Sequence, residues 1–380
     1  MFHNIVKYSY DDITICPAVV SPISHRSECN PFLKSGYLPI FAAPMSTVVD
    51  IINYPWFKDN HIFPILPRTT KHSLSVRLEY ASSSNWAAFS LSEFIDNFTW
   101  SQGMEYKGIP YTVLIDIANG HMEELFNAVK KAKDVWDDKL TIMIGNVANP
   151  ETYVRCCECG ADYVRFSIGS GFGCLTSSQT GIHYPIASLI NEAHLVKKRY
   201  AVSHNIPMET LPKIVADGGI RGYKDVIKAL ALGADYVMIG SEFAKLIESA
   251  APIHDYKDGI GLLNTENLTK YRNHIRDDGS KFTFDIQGSN ITINNALYKK
   301  FYGMASKEGQ IDMNGEKTKT SEGVCKEVKV TTNIDKWTDN MIDYLRSAMS
   351  YLGIKNISRF NPENVDTYVL SENAKNSINK

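Results

Sequence analysis

The chain has 380 residues, of which 44% are hydrophobic, 22% charged and 11% aromatic. This composition is typical of a folded globular protein and excludes disordered, collagen-like and fibrous classes. The formal net charge is −2 at pH 7, so there is no overall basic field to hold a nucleic-acid backbone, and small molecules are the expected partners. The length alone fits either several average domains or one large barrel.

The first residues, MFHNIVKYSYDD, contain no basic stretch followed by an apolar core, so we expect no secretory signal. No uninterrupted apolar run is long enough to span a bilayer. The seven cysteines are Cys16, Cys29, Cys156, Cys157, Cys159, Cys174 and Cys325. An odd number in a long chain makes a poor disulfide framework, so we expect a cytoplasmic protein with reduced thiols and no membrane contact.

Eight short apolar runs recur along the chain with amphipathic stretches between several of them. They are PIFAAPM (39–45), IFPIL (62–66), WAAFSL (86–91), YTVLIDI (111–117), LTIMIGNV (140–147), DYVRFSI (162–168), KIVADGG (213–219) and DYVMIGS (235–241). Near-continuous apolar runs predict strands buried on both faces of a parallel sheet. The pattern therefore predicts an α/β fold, a single (β/α)8 TIM barrel over 1–380, with a doubly wound open sheet as the alternative.

Helical spacing of apolar residues predicts helices over 121–136, over 226–233 and over 333–354. The last of these has Asn333 or Asp335 near its start and Gly353 near its end.

Three segments interrupt the barrel pattern. Residues 250–300 form an inserted segment with a predicted hairpin over 281–293, in which Gly-Ser-Asn supplies the turn. Residues 305–321 are polar and contain glycine, which predicts a mobile loop, here called the flap. The polar residues 355–380 predict a flexible, frayed tail.

Barrel active sites lie at the carboxyl ends of the strands, and the strand ending at IGSGFGCLT (168–176) contains the most distinctive motif. Gly169, Gly171 and Gly173 predict a tight loop with exposed backbone polar groups, with Cys174 at its apex. A thiol held among such dipoles suits a nucleophile. The alternative is a buried structural cysteine, which is the commoner role of a free thiol.

A second candidate site is formed by two late strands that end in IVADGGI (214–220) and DYVMIGS (235–241). Consecutive glycine turns there match the phosphate site often found after strands 7 and 8 of barrels, and Asp217 could accept hydrogen bonds from ribose hydroxyls. Tight turns selected for their geometry alone are the alternative.

Two further motifs are less specific indications of a functional site. The CCEC run (156–159) lacks paired halves of a zinc site and is more consistent with core packing on a helix than with metal binding. Glu322, in the TSEG run (320–323), could be a general acid or base, or a solvated loop charge.

Taken together, the motifs resemble the IMP dehydrogenase/GMP reductase family, and its reductase branch more closely. The resemblance rests on YSYDDITICP (8–17), PIFAAPMSTV (39–48), IGSGFGCLT (168–176), VADGGIRGYKDVIKALALGADYVMIGS (215–241), FYGMAS (301–306) and SEG (321–323). The dehydrogenases usually insert regulatory modules after the second barrel strand, and residues 62–91 leave no room for them. The flap lacks the Arg-Tyr pair that activates water in the dehydrogenases, and DIANGH (116–121) and FYGMAS resemble reductase motifs.

The resemblance implies the NADPH-dependent reductive deamination of GMP to IMP and ammonia, through a covalent thioimidate on Cys174. Thr176 and Glu322 would relay the proton that lets ammonia leave. The nucleotide would be held by Asp217, Gly218, Gly219, Gly240, Ser241, Gly303, Met304, Ser321 and Gly323. The dinucleotide would contact Arg68, Asp116, Ala118 and Asn119, and the carbonyls of Gly169, Gly171 and Cys174 match a potassium site. A homotetramer is also implied, and the sequence does not distinguish NADPH from NADH.

The chain departs from the family pattern at several positions. The cysteine loop has Phe172 where the family has a phosphate-binding serine, and Leu175-Thr176-Ser177 replaces Thr-Thr-Arg. Ser46 replaces the aspartate expected after Pro-Met. The alternatives that stay open are a reductase for another purine nucleotide or deoxynucleotide, an IMP dehydrogenase-like enzyme, a nucleotide-binding barrel without catalysis, and a flavin-binding barrel.

Overall fold

The computed structural model describes residues 5–100, 109–255, 275–277, 282–286, 289–293, 297–316 and 319–378. Eight parallel strands close into a barrel. They are β2 (Ile40–Ala42), β3 (Phe63–Leu66), β4 (Trp86–Phe89), β5 (Tyr111–Asp116), β6 (Leu140–Val147), β7 (Tyr163–Phe166), β8 (Lys213–Asp217) and β9 (Tyr236–Ile239). The last strand pairs with the first, in the register Ile40↔Val237. The predicted (β/α)8 barrel is therefore confirmed, and the open sheet is excluded.

Side-chain alternation along the strands divides the core into two layers. Phe41 points into the barrel, whereas its neighbours Ile40 and Ala42 pack outward beneath the helices. The interior is filled by Phe41, Ala43, Ile65, Trp86, Ala88, Leu114, Met143, Val215 and Met238. Both faces of each strand are thus buried, which explains why the strands are continuous apolar runs in the sequence.

Helices surround the barrel on the outside. They are α1 (Tyr54–Asp59), α2 (Leu74–Ser82), α3 (Leu91–Phe98), α4 (Glu123–Trp136), α5 (Thr152–Glu158), α6 (Thr176–Thr180), α7 (Ile186–His204), α8 (Tyr223–Ala231) and α9 (Ser241–Ala244). Short 3-10 helices lie at Tyr10–Asp12, Arg26–Glu28, Asp137–Lys139, Met208–Thr210 and Ile357–Arg359. Helix α4 buries Leu125, Val129 and Ala132 as the helical spacing predicted. Within the described part of the chain, no helix is long and apolar enough to cross a membrane.

The flap prediction needs correction, because residues Lys307–Asn314 form a helix, α10. The Ser306 hydroxyl accepts a hydrogen bond from the Gly309 amide at its start, and Gly315 ends it in the left-handed conformation. Glycine and polar residues gave the segment the composition of a loop, although both caps are ordinary helix signals. The mobility of the segment stays a prediction.

The tail prediction also needs correction. Strand β16 (Thr367–Val369) pairs antiparallel with β1 (Ile13–Ile15), and helix α12 (Glu372–Ile378) follows it. The Lys375 ammonium lies 2.7 Å from the Asp12 carboxylate, and Phe360 and Val365 are buried. A polar segment is ordered here by strand pairing and by a few apolar anchors, which composition does not reveal.

The inserted segment contributes strands to two small sheets. In the first, β14 (Leu297–Tyr302) lies between β10 (Ile253–Asp255) and β15 (Cys325–Lys329). In the second, β12 (Phe282–Ile286) lies between β11 (Ile275–Asp277) and β13 (Ser289–Ile293), which confirms the predicted hairpin. Ile286 pairs with Ser289, so Ser289 and Asn290 belong to the strand rather than to the turn. Within this segment, residues 256–274, 278–281, 287–288 and 294–296 lie outside the described residues.

Helix α11 (Ile334–Leu352) agrees with its prediction. The Asn333 side chain accepts a hydrogen bond from the Lys336 amide, and Gly353 ends the helix in the left-handed conformation. The CCEC residues also match their predicted packing role, because Cys156 and Cys159 are buried in the core. Burial raises the pKa of Cys157 to about 12 and that of Cys159 to about 11, which disfavours the thiolates that zinc requires.

Candidate active site

A cavity of about 890 Å³ opens at the carboxyl ends of the barrel strands. The sequence-predicted residues that line it are Arg68, Asp116, Ala118, Gly169, Gly171, Cys174, Thr176, Asp217, Gly218, Gly219, Gly240, Ser241, Gly303, Met304, Glu322 and Gly323. Asn119 and Ser321 are not among the lining residues. The Asn119 side chain instead accepts a hydrogen bond from the His121 amide, so it stabilises a turn.

Cys174 lies in the loop between β7 and α6, at the start of a chain of side-chain hydrogen bonds. Its thiol donates to the Thr176 hydroxyl across 3.3 Å, and that hydroxyl donates to a Glu322 carboxylate oxygen across 2.8 Å. The loop needs glycine at 169, where φ is +78° and an added Cβ would lie 2.8 Å from the Ser177 Cβ. The predicted nucleophile and the predicted acid or base are therefore connected through one hydroxyl.

Backbone pairing places Glu322 beside the cysteine loop. The Leu175 amide donates to the Glu322 carbonyl across 2.7 Å, and the Val324 amide donates to the Gly173 carbonyl across 3.0 Å. Between them, Gly323 bridges Cys174 as in an antiparallel strand pair. The position of the carboxylate is thus set by main-chain hydrogen bonds, across 146 residues of sequence.

Glu322 lies just before β15, and the sheet that contains β15 is fastened to the barrel by Lys299, a residue that sequence reasoning missed. Lys299 is fully buried on β14, and its ammonium donates to the carbonyls of Ile247 and Ser249 across 2.8 and 2.6 Å. Burial lowers the pKa of Lys299, whereas burial raises the pKa of nearby Glu248. Strand β14 continues directly into Gly303 and Met304, which line the cavity. The Lys299 anchor therefore fixes this segment as well as the one that carries Glu322.

The glycine turn after β8 presents Asp217 to the cavity. Gly218 and Gly219 have φ of +97° and +74°, a conformation that favours glycine. The Gly219 amide donates to the Ser170 carbonyl across 3.0 Å, which joins this turn to the cysteine loop. Asp217 accepts a hydrogen bond from the Asn146 amide group across 2.9 Å.

Arg165 connects the two carboxylates that line the cavity, and it was not predicted. Its guanidinium donates to Asp217 across 2.8 Å and to Asp116 across 2.7 Å. Burial by itself would lower the pKa of Arg165, but the two carboxylates outweigh it and raise the pKa above its usual value. Arg68 donates to the Asp116 carbonyl across 3.1 Å. The available signal was a charged residue inside the buried strand Tyr163–Phe166.

We expect the variant Arg165→Met to lose about 3–5 kcal/mol of unfolding free energy, because it removes the cation shared by two largely buried carboxylates and leaves Asp116 with the more distant Arg68, at 3.8 Å. Urea unfolding followed by circular dichroism measures the loss. The matched control is Arg155→Met, whose ion pairs with Glu123 and Glu158 are exposed, and for which we expect less than about 1 kcal/mol. Equal losses in the two variants would contradict the structural importance of the Arg165 bridge.

Two of the three carbonyl groups predicted for potassium, those of Gly169 and Gly171, accept hydrogen bonds from protein groups. The Gly171 carbonyl accepts from the Cys174 amide across 3.0 Å, and the Gly169 carbonyl accepts from the Ser177 hydroxyl across 3.4 Å. Each carbonyl oxygen has a second lone pair, so this neutral oxygen set is compatible with a monovalent cation. Among the residues that the structure describes, no cluster of three His, Cys, Asp or Glu side chains could hold a metal ion.

Phe172 and Ser46, two residues that depart from the family pattern, each contact a charged side chain. Phe172 is half exposed at the cavity edge, where the Lys326 ammonium lies 4.0 Å from its ring centroid. The Ser46 hydroxyl donates to the Asp312 carboxylate across 2.6 Å. The family has an aspartate where this chain has Ser46. Here a carboxylate from helix α10, that of Asp312, lies within hydrogen-bond distance of that serine.

The fold and the cavity define a (β/α)8 barrel with a thiol–hydroxyl–carboxylate chain beside glycine turns. A family model described as the IMP dehydrogenase / GMP reductase domain matches residues 104–262. Proteins named GMP reductase from Staphylococcus aureus strains JH9 and Newman are each 29% identical to the chain over 297 residues, which cover 74% of this chain and 85% of the relative. These matches confirm the resemblance to the IMP dehydrogenase/GMP reductase family, a family of oxidoreductases.

Proposed function

We propose that this protein is an NADPH-dependent reductase that converts GMP to IMP and ammonia. The observation that carries the proposal is the hydrogen-bonded chain from Cys174 through Thr176 to Glu322 at the carboxyl ends of the barrel strands. A nucleophile, a relay and a carboxylate are the groups that displacement of an amine requires. The names of the relatives support the choice of GMP.

The glycine turns bind the nucleotide in this proposal. Backbone amides at Gly218, Gly219 and Gly240 and the Ser241 hydroxyl would hold the phosphate, because amides of tight turns favour anions. Asp217 would accept hydrogen bonds from the ribose hydroxyls. The base would lie beside Met304 and Gly323, which brings its C2 carbon toward the thiol of Cys174.

The first chemical step exchanges one bond for another. The Cys174 sulfur forms a bond to C2 while the C2–nitrogen bond breaks. The thiol proton passes through Thr176 and Glu322 to the departing nitrogen, so that ammonia leaves and a thioimidate remains on Cys174. Splitting one difficult displacement into two steps is the usual benefit of a covalent intermediate.

The second step restores the enzyme. Arg68, Asp116 and Ala118 would hold NADPH, which would supply a hydride to C2, and the carbon–sulfur bond would then break to release IMP. Cys174 regains one proton through the same relay. The bridge from Arg165 to Asp116 and Asp217 connects the proposed nucleotide and dinucleotide sites, so it would keep their spacing constant during turnover.

The proposal also includes a bound potassium ion, the oligomeric state, the location in the cell and the dinucleotide. A potassium ion would contact the carbonyls of Gly169, Gly171 and Cys174, the enzyme would act as a homotetramer in the cytoplasm, and NADH could take the place of NADPH. A reductase for a different purine nucleotide or deoxynucleotide is the second candidate. It is favoured by Phe172, whose exposed ring lies at the cavity edge where the family has a polar side chain.

The decisive experiment mixes the purified protein with GMP and NADPH and measures both the loss of NADPH absorbance and the release of ammonia. We expect equal amounts of the two, with IMP as the nucleotide product. Parallel assays with other purine nucleotides and deoxynucleotides test the second candidate. Formation of NADH from IMP and NAD, without turnover of GMP, would replace the reductase with a dehydrogenase.

A further inference from the structure

Helix α10 (Lys307–Asn314) covers the cavity, and its contacts suggest how it stays there. Gln310, Met313 and Asn314 line the cavity from this helix. Their spacing places them on one helical face. On the neighbouring face, Gly309 packs against the turn that follows β14, and Asp312 contacts loops that follow two barrel strands.

Asp312 is the main polar attachment of this helix. One of its carboxylate oxygens accepts hydrogen bonds from the Ser46 hydroxyl across 2.6 Å and from the Tyr302 hydroxyl across 2.7 Å. Its carbonyl accepts from the Thr70 amide across 2.6 Å. Ser46 follows β2 and Thr70 follows β3, so a single residue fastens the helix to two adjacent barrel loops.

Gly309 provides an independent contact. A Cβ atom at this position would collide with the Gly303 carbonyl oxygen and would lie 2.6 Å from the Met304 Cα. The helix therefore rests directly on the turn that borders the cavity beside Cys174, with no room for a side chain between them. Two separate features, a hydrogen-bonded carboxylate and a close backbone contact, keep the helix seated.

We propose that Asp312 is a positioning residue, which holds helix α10 over Cys174 so that water does not reach the covalent intermediate.

The reaction products that we expect when this shielding is lost rest on the proposed function. A thioimidate exposed to water would be hydrolysed: water oxygen bonds to C2, the carbon–sulfur bond breaks, and the thiol regains a proton. The product would be the 2-oxo purine nucleotide, xanthosine monophosphate, formed without oxidation of NADPH. Exclusion of water is what closed active-site segments commonly provide.

The first test does not depend on the reaction. Site-resolved mass spectrometry measures the rate at which iodoacetamide alkylates Cys174 in the full chain. We expect Asp312→Ala and Gly309→Ala to be alkylated at least about tenfold faster than the wild type. In Asp312→Ala, loss of hydrogen bonds to a charged acceptor shifts a closed–open equilibrium by that order. In Gly309→Ala, the added Cβ collides with the backbone of Gly303 and Met304 and displaces the helix. Asp312→Asn retains an acceptor oxygen and should restore a rate within about twofold of wild type.

The control variant is Lys307→Ala, an exposed position on the same helix, and circular dichroism verifies that every variant is folded. If Asp312→Ala and Gly309→Ala are alkylated at the rate of Lys307→Ala, the helix does not shield Cys174 and the proposal is wrong. Gly309→Ala keeps the test informative if loss of the Asp312 carboxylate prevents folding.

The second test uses GMP and NADPH. Wild type and Lys307→Ala should release one ammonia for each NADPH oxidised, whereas Asp312→Ala should release excess ammonia together with xanthosine monophosphate. Faster alkylation with unchanged products would overturn the role in excluding water. Absence of NADPH oxidation in all variants, wild type included, would instead count against the proposed function, and the alkylation rates would still decide whether Asp312 seats the helix.

Discussion

Replacing Cys174 with alanine should abolish GMP-dependent oxidation of NADPH, with a loss in kcat of at least about 10³-fold. The side chain is the thiol at the head of the hydrogen-bonded chain in the cavity. Alanine removes the atom that would bond to C2 and leaves the glycine loop with its main-chain pairing. The measurement is steady-state NADPH absorbance, accompanied by intact-mass analysis of protein incubated with GMP, in which wild type should carry a covalent nucleotide and the variant should not.

The control for this prediction is Cys16→Ala. Cys16 is also a partly exposed free cysteine, and it is not among the residues that line the cavity. It should retain wild-type turnover and the covalent adduct. Substantial turnover by Cys174→Ala, or an adduct mapped to a different cysteine, would rule out the proposed nucleophile. Such a result would favour an enzyme whose reaction proceeds without a covalent intermediate on Cys174.

Replacing Glu322 with glutamine should lower kcat for GMP by about 10²- to 10⁴-fold, while the KM for GMP changes little. The amide oxygen of glutamine can still accept the hydrogen bond that Thr176 donates across 2.8 Å, so the geometry is preserved. An amide cannot take up and return a proton at neutral pH, and ammonia then leaves poorly. The large change in kcat with a small change in KM would separate proton transfer from binding.

The matched control is Glu316→Gln, an exposed glutamate on the same segment of the chain. We expect its kcat and KM to equal those of wild type. A kcat for Glu322→Gln close to that of Glu316→Gln would show that the carboxylate is not needed for proton transfer. Glu322 would then be a side chain whose backbone pairing with Leu175 matters more than its acidity.

Much of the barrel could be predicted because parallel strands buried on both faces leave a continuous apolar signal. Each of the eight predicted runs contains a barrel strand. The ends of these runs also located the cavity, since Asp217 is the last residue of β8 and the glycine loop that carries Cys174 follows β7. Strand position along the chain was therefore enough to find the site, without knowledge of how the strands pair.

The residues that prediction missed depend on partners distant in the sequence. Arg165 is explained by carboxylates at Asp116 and Asp217, the nearer of them 49 residues away. Lys299 has its acceptors about 50 residues earlier. A charge inside a predicted buried strand marks Arg165 as unusual, but nothing in the local sequence around Arg165 or Lys299 identifies the distant groups that pair with it.

The flap and the tail were missed for a related reason. Helix α10 contains a glycine and mostly polar residues, so its intrinsic helical tendency is weak. Its attachment comes from the contact of Asp312 with Ser46, 266 residues away. The tail likewise gains order from strand β1 at the opposite end of the chain.

By itself, the sequence determined the barrel strands, the glycine turns and the position of the cysteine loop, because these depend on periodicity and on local backbone conformation. Only the tertiary structure decided that the sheet closes through Ile40 and Val237. It also decided that Glu322 meets Thr176, that Arg165 joins two carboxylates, and that a helix lies over the cavity. These outcomes follow from hydrogen bonds and packing between distant segments, whose pairing exists only once the chain is folded.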